Sequence, residues 1–181
     1  TYRLGHVGSL NWNEYVKISL ITPAGKQSKN GNRTTALRWA RLLRQSGHLV
    51  RISTDYEGEA TDVMIALHAR HSGAAVRRYR EQMTQGPLVV GLGGTDVNTF
   101  LQTERALTLG SMEMADALIC LHDLIGPELP APLRPKLHVV RQSAQPLTQP
   151  RQPSKRHFDI CVIGHLRAEK DPFRTALAAR L

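Results

Sequence analysis

Three observations predict an α/β fold, a parallel sheet with helices on both faces. Short β-prone runs (VKISLI, HLVRIS, DVMIAL, PLVVGL, ALICL, LHVV) alternate with amphipathic stretches of helical period. Several of those runs are continuously apolar, as strands buried on both sides are. Most of the runs also lead into glycine, histidine, threonine or aspartate, the residues that gather where strands hand over to loops.

The stretch from Val16 to Gly47 sets the pattern. Val16, Ile18, Leu20 and Ile21 favour a strand, and Pro23 ends it because proline has no N–H for a ladder. A loop of small and basic residues follows, with Gly25, Gly31 and Asn32 tolerating positive φ and Asn32 expected as N-cap. Ala36, Leu37, Ala40 and Leu43 recur at helical spacing, opposite Arg38, Arg41 and Arg44, and Gly47 closes the helix. This strand–loop–helix unit is Rossmann-like, but GKQSKNGNR fits neither GxGxxG nor the nucleotide-triphosphate loop. Amides at a helix N-terminus flanked by Lys26, Lys29 and Arg33 suit a phosphate or another anion. A solvated basic loop before a surface helix is the plainer alternative.

Further along, a second strand ends near Asp55 and a third ends in His68. Ser72 is the expected N-cap of a helix that buries Ala75, Val76 and Tyr79, and Gly86-Pro87 breaks it. PLVVGLGGTD leads to the helix ERALTLGSMEMAD, with Leu107 and Met114 as core candidates. ALICLH, the proline-broken LIGPELPAPLRPK and LHVVRQSA complete the first domain, residues 16–144. Residues 145–157, with three prolines and few apolar side chains, read as a linker. HFDICVIGHL and FRTALAARL read as a buried strand and a helix, the first unit of a second Rossmann-like domain spanning 158–181. Residues 1–15 show no period and receive no role.

Composition sets outer bounds. Hydrophobic content of 41% fits a globular chain, and neither a membrane-length apolar run nor a signal-peptide pattern is present, so a cytoplasmic protein is expected. Cys120 and Cys161 sit in apolar runs and are expected as buried free thiols rather than metal ligands. Lys and Arg outnumber Asp and Glu by 24 to 15, a net charge of +9, which favours anionic partners. Nucleic acid is the weaker candidate, because only 5% of residues are aromatic and the basic ones are dispersed.

In parallel sheets ligands gather at the carboxyl ends of strands. That rule selects the Gly25–Arg33 loop, His68–His71, Gly93–Asp96 and His122-Asp123; the last pair is read as structural.

The order of TPAGKQSKNGNRTTALRWARLLRQSGH, ALHARHS, PLVVGLGGTD, ADALICLHDLIGPEL and CVIGHLRAEKDPF resembles the N-terminal part of two-domain (GT-B type) glycosyltransferases similar to family 4. GNRTTALRWARLLR, LHARHS and GHLRAEKDPF together are most similar to the selenosugar synthases of selenoneine biosynthesis. The resemblance covers residues 16–181. It implies an acceptor domain, a truncated donor domain, and transfer in the cleft between them from a UDP-sugar such as UDP-N-acetylglucosamine to selenophosphate. It implies no metal and no cofactor beyond these substrates, and no membrane partner.

By motif, Gly164, His165, Arg167 and Lys170 would bind the nucleotide sugar, with Lys170 on the diphosphate. His165 stands where relatives carry arginine, and Arg167 is the substitute cation. His68 and Asp96 are the candidate catalytic residues, Asp96 either orienting a sugar hydroxyl or capping a helix. Lys26, Lys29, Gly31, Asn32, Arg33, Arg70, His71 and Thr95 would hold the anionic acceptor. Gly93 replaces a histidine common in relatives, leaving His68 or His71 as the imidazole near the sugar. An anionic selenium nucleophile needs little base catalysis. Two alternatives stay open: a conventional glycosyltransferase with a hydroxyl acceptor, and a basic module binding nucleic acid or a phosphometabolite. The 181-residue chain is expected to be inactive alone.

Overall fold

A computed structural model describes residues 15–149 together with 152, 154–158, 160–164, 166 and 170–180. Its centre is a six-stranded, all-parallel sheet in the order β2-β1-β3-β4-β5-β6. The strands are β1 (Lys17–Ile21), β2 (Leu49–Ser53), β3 (Val63–Leu67), β4 (Leu88–Gly91), β5 (Ala117–Cys120) and β6 (Leu137–Val139). The longer helices are α1 (Gly31–Gln45), α2 (Gly73–Gln82) and α4 (Arg105–Met114). The short α3 (Leu101–Thr103) follows a π-helical turn at Asp96–Phe100. This is the Rossmann-like α/β architecture the strand–helix alternation predicts.

Strand periodicity sorts the core into two layers. Ile18 and Leu20 pack with Ala36 and Ala40 of α1, while Ile21, Met64 and Ala66 pack with Val76 and Tyr79 of α2 and Met112 of α4. Helices therefore cover both faces, and the connection from β2 to β3 carries none.

α1 starts earlier than expected. Asn30, not Asn32, is its N-cap: the Asn30 side chain accepts from the Arg33 N–H at 3.0 Å, and Asn32 lies inside the first turn. Asn30→Ala is expected to cost about 1 kcal/mol, against little for Asn32→Ala, in thermal or urea unfolding. The C-terminus matches expectation. Gly47 has φ +90 and donates to the Arg44 carbonyl while His48 N–H donates to Leu43, a paired closure that favours glycine. Leu37, expected in the core, is 49% exposed, because the buried stripe is carried by Ala36 and Ala40 and runs beside it. Leu107 is likewise exposed, and Thr108, Ser111 and Met112 are the buried face of α4.

Ser72 precedes α2 as expected but does not cap it with its side chain, since its hydroxyl donates to the Leu67 carbonyl at 2.6 Å. The proline-broken stretch forms two 3-10 helices, Asp123–Glu128 and Ala131–Lys136. Cys120 is buried and free, as expected; Cys161 is also free but exposed.

Many cations close the fold instead of facing a partner. Arg80 donates to the Met114 carbonyl and pairs with Asp116, and Lys136 donates to the Glu113 and Ala115 carbonyls, satisfying groups that the end of α4 leaves unpaired. Arg134 serves the Leu129 and Pro127 carbonyls, and Arg44 that of Val50. Net charge thus overstates the cations available for an external anion.

Tyr79 is fully buried, edge-on to Tyr56 with ring centroids 5.1 Å apart, and its hydroxyl donates to the Pro87 carbonyl. Burial chiefly pushes its phenol up to about 12. The neutral phenol therefore stabilises the fold fully below pH 10, where the unfolded chain is also neutral, and this is lost as pH rises through about 12. Tyr79→Phe is expected to flatten the fall of melting temperature with pH in that window.

The chain divides into two compact units, one ending at Ser143 and one beginning at Ala144. In the second, α5 (Arg174–Ala178) is the expected helix, shorter than predicted. The expected buried strand does not form among the described residues of 157–166: Phe158, Ile160, Val162 and Ile163 are 53–96% exposed. A strand needs neighbours for its N–H and C=O groups and a layer over its apolar face. The described residues of this unit supply neither.

Candidate functional site

Strand order fixes where this sheet opens. The chain runs from β1 outward to β2 and then returns to the other side of β1 for β3, so the winding reverses between β1 and β3. The loops leaving those two strands part at their carboxyl ends, the position where open parallel sheets leave a crevice. One loop is 22–30, before α1; the other is 68–72, before α2. The 92–95 turn after β4 lies next to the latter.

The first loop carries the expected cations. Among the described residues Lys26 and Lys29 have no hydrogen bond or ion pair, and both are exposed. A Cβ placed on Gly25 or Gly31 would meet nothing within 4 Å, so the backbone here borders open space. Two residues carry buried polar atoms that lack a partner among the described residues, Thr22 Oγ1 and Arg33 Nε. Such orphans are uncommon, and here they bracket the loop at the end of β1 and the start of α1. Sequence reading passed over Thr22, whose position beside Pro23 at a strand end was its one signal.

The second loop is built on a strained residue. His68 has φ +73, a left-handed conformation that non-glycine residues seldom adopt. Asp96 holds it there. Its Oδ2 accepts the Ala69 N–H at 2.9 Å and the Gly93 N–H at 2.8 Å, and its Oδ1 accepts the Arg70 N–H at 2.8 Å and contacts His68 Nδ1 at 2.8 Å. Asp96 is 0% exposed. It therefore has no oxygen to offer a sugar hydroxyl, and its role is to fix the loop. The His71 N–H also approaches His68 Nδ1, at 3.4 Å. Nε2 faces Thr95 Oγ1 at 2.9 Å.

Gly93 has a packing reason as well. A Cβ there would stand 3.0 Å from His68 Cδ2, so the glycine makes room for the imidazole. His68 itself is 5% exposed and reaches the surface only through its neighbours. His71 lies outside it, exposed, with ring centroids 4.3 Å from His68 and 5.1 Å from Phe100. Partial burial, then the nearby His68 and Arg70, lower the pKa of His71 below the ordinary histidine value. Arg70 is not a free cation: its guanidinium pairs with Glu104, a partner 34 residues away that sequence reading did not find.

Gly164 and Lys170 lie in the second unit, both exposed, with a Cβ on Gly164 4.0 Å from that of Lys170. His165 and Arg167 lie outside the described residues. Among the described residues no group of three or more His, Cys, Asp or Glu is placed to hold a metal ion, and no helix is long and apolar enough to cross a membrane. A separate cavity of about 420 Å³ sits against β1 and β2, lined in part by Lys17, Arg44, His48 and Glu59. Its lining includes none of the candidate catalytic or ligand-binding residues named from sequence.

Fold and geometry define a Rossmann-like α/β protein with two exposed lysines on the loop at its switch point. Compared with protein-family models and with curated proteins, the chain matches none.

Proposed function

We propose that this chain is the acceptor side of a nucleotide-sugar glycosyltransferase, taking selenophosphate as acceptor and a UDP-hexose such as UDP-N-acetylglucosamine as donor. The observation that carries this reading is the loop between β1 and α1. Lys26 and Lys29, unpaired among the described residues, the N-terminus of a fifteen-residue helix and the orphaned Arg33 Nε converge on one loop at the switch point. An anionic acceptor matches those donors.

In the proposed reaction the sugar C1–O bond to UDP breaks as a C1–Se bond forms, and water later removes the phosphate from selenium. Lys170 stabilises the departing diphosphate as its negative charge develops. The first unit supplies cations and backbone donors that orient selenophosphate. Selenium is already anionic, so no side chain has to remove a proton from it.

Incubation of the protein with UDP-N-acetylglucosamine and selenophosphate tests the reading by mass spectrometry. A selenium-containing sugar formed only with both substrates is expected. UDP release without selenium product would instead favour a hydroxyl acceptor, and salt-sensitive nucleic-acid binding without UDP-sugar turnover would favour a binding module.

A further inference from the structure

We propose that the cavity of about 420 Å³ against β1 and β2 is a second ligand site, and that it takes a small organic monoanion, a carboxylate carried on an apolar body. It stands apart from the switch-point loop and does not depend on glycosyl transfer.

Topology opens the space. Ile18 and Leu20 of β1 and Val50 of β2 pack in the α1 layer, so Lys17 and Ser19, with their register partners Leu49 and Arg51, face the other side of the sheet. A crossover between parallel strands usually lays a helix over such a face, but the connection from β2 to β3 has none. Residues 59–61 wall the cavity instead. Its volume falls in the range of about 300–1,000 Å³ that small-molecule sites occupy.

The acceptors in these walls are already spent. Glu59 accepts the Ser19 hydroxyl at 2.6 Å and the Glu57 N–H at 3.1 Å. Thr61 Oγ1 accepts the Ser19 N–H at 3.0 Å. Charge on the donor side is not spent. Lys17 is exposed, and among the described residues its ammonium has no hydrogen bond or ion pair. Arg44 donates to the Val50 carbonyl, a neutral group that leaves its charge uncompensated, while Arg51 pairs with Glu57 at 3.5 Å. With His48 counted as neutral, the lining cations Lys17, Arg44 and Arg51 face two carboxylates, Glu59 and the Glu57 that Arg51 pairs with, a surplus of one positive charge. A ligand with one negative charge balances it. Leu49, 54% exposed, and the exposed Ala60 add apolar wall. An apolar body laid against them leaves water, and a bare inorganic anion gains nothing from them.

Benzoate is the probe, with benzamide as its uncharged counterpart, each titrated into the nitrogen-15-labelled chain. Benzoate is expected to shift the amides of Leu49, Arg51, Ala60 and Thr61, and benzamide to bind there about fivefold more weakly. Lys17→Gln, at an exposed side chain, is expected to bring benzoate down to the affinity of benzamide. Leu49→Ser is expected to weaken both probes about threefold. Inorganic phosphate is expected to perturb these amides less than benzoate does. Benzoate shifts concentrated elsewhere, benzamide or phosphate binding here as tightly as benzoate, or benzoate affinity unchanged in Lys17→Gln would each overturn the proposal. Absence of UDP-sugar turnover would refute glycosyl transfer and leave this site standing.

Discussion

Replacing Asp96 with alanine should destabilise the first unit by about 3–5 kcal/mol, the range for removing one partner from a buried charged network. The side chain is fully buried and receives the Ala69, Arg70 and Gly93 amides as well as the His68 ring. Alanine would leave those donors facing no acceptor, and each buried orphan costs about 1–3 kcal/mol. The substitution Asp96→Asn keeps one acceptor oxygen but turns an NH2 group toward an N–H, so its loss should be intermediate. Urea unfolding is the measurement, with the midpoint falling at constant slope. A loss under about 1 kcal/mol for Asp96→Ala would mean that the His68 loop does not depend on this carboxylate.

Leu20→Ala should be the next largest change, at about 2–5 kcal/mol. Leu20 is 0% exposed in an interior strand and packed in the layer that α1 covers, so truncation removes buried contacts and opens a cavity there. Leu37→Ala is the matched control, since its side chain is 49% exposed and should change stability by less than about 0.5 kcal/mol. Equal effects from the two substitutions would place α1 in the wrong rotation on the sheet.

That contrast also shows where sequence reading stopped. Helical spacing admits Ala36, Leu37, Ala40 and Leu43 together, but two alanines let α1 approach the sheet closely along one line and leave Leu37 off it. Asn30 and Asn32 are equally good caps on composition, and only the hydrogen bond to Arg33 N–H separates them. The strands were legible because each is a short β-prone run bounded by turn residues, and parallel pairing followed from the alternation. For the apolar run at 158–163, period and composition argued for a strand, yet a strand also requires partners that the described residues of its unit lack.

The site was legible as a set of strand ends but not as a constellation. His68 and Asp96 lie far apart in the chain, and their contact depends on β3 lying beside β4, which the strand order decides. The same order places the 22–30 loop at the switch point. Glu104 escaped notice because nothing in the sequence links it to Arg70, and finding it removes Arg70 from the cations free to bind an anion. Thr22 had no partner to reveal it; its significance is that the fold leaves its hydroxyl buried and, among the described residues, unpaired.

The most direct test of the switch-point loop as the ligand edge is an NMR titration of the chain with selenophosphate, repeated with inorganic phosphate, following every assigned amide. Shifts concentrated at Gly25–Thr34 and lost when Lys26 and Lys29 are both changed to Gln are the predicted result. Shifts concentrated instead around His48–Arg51 and Glu59–Thr61, at the separate cavity against β1 and β2, would contradict it.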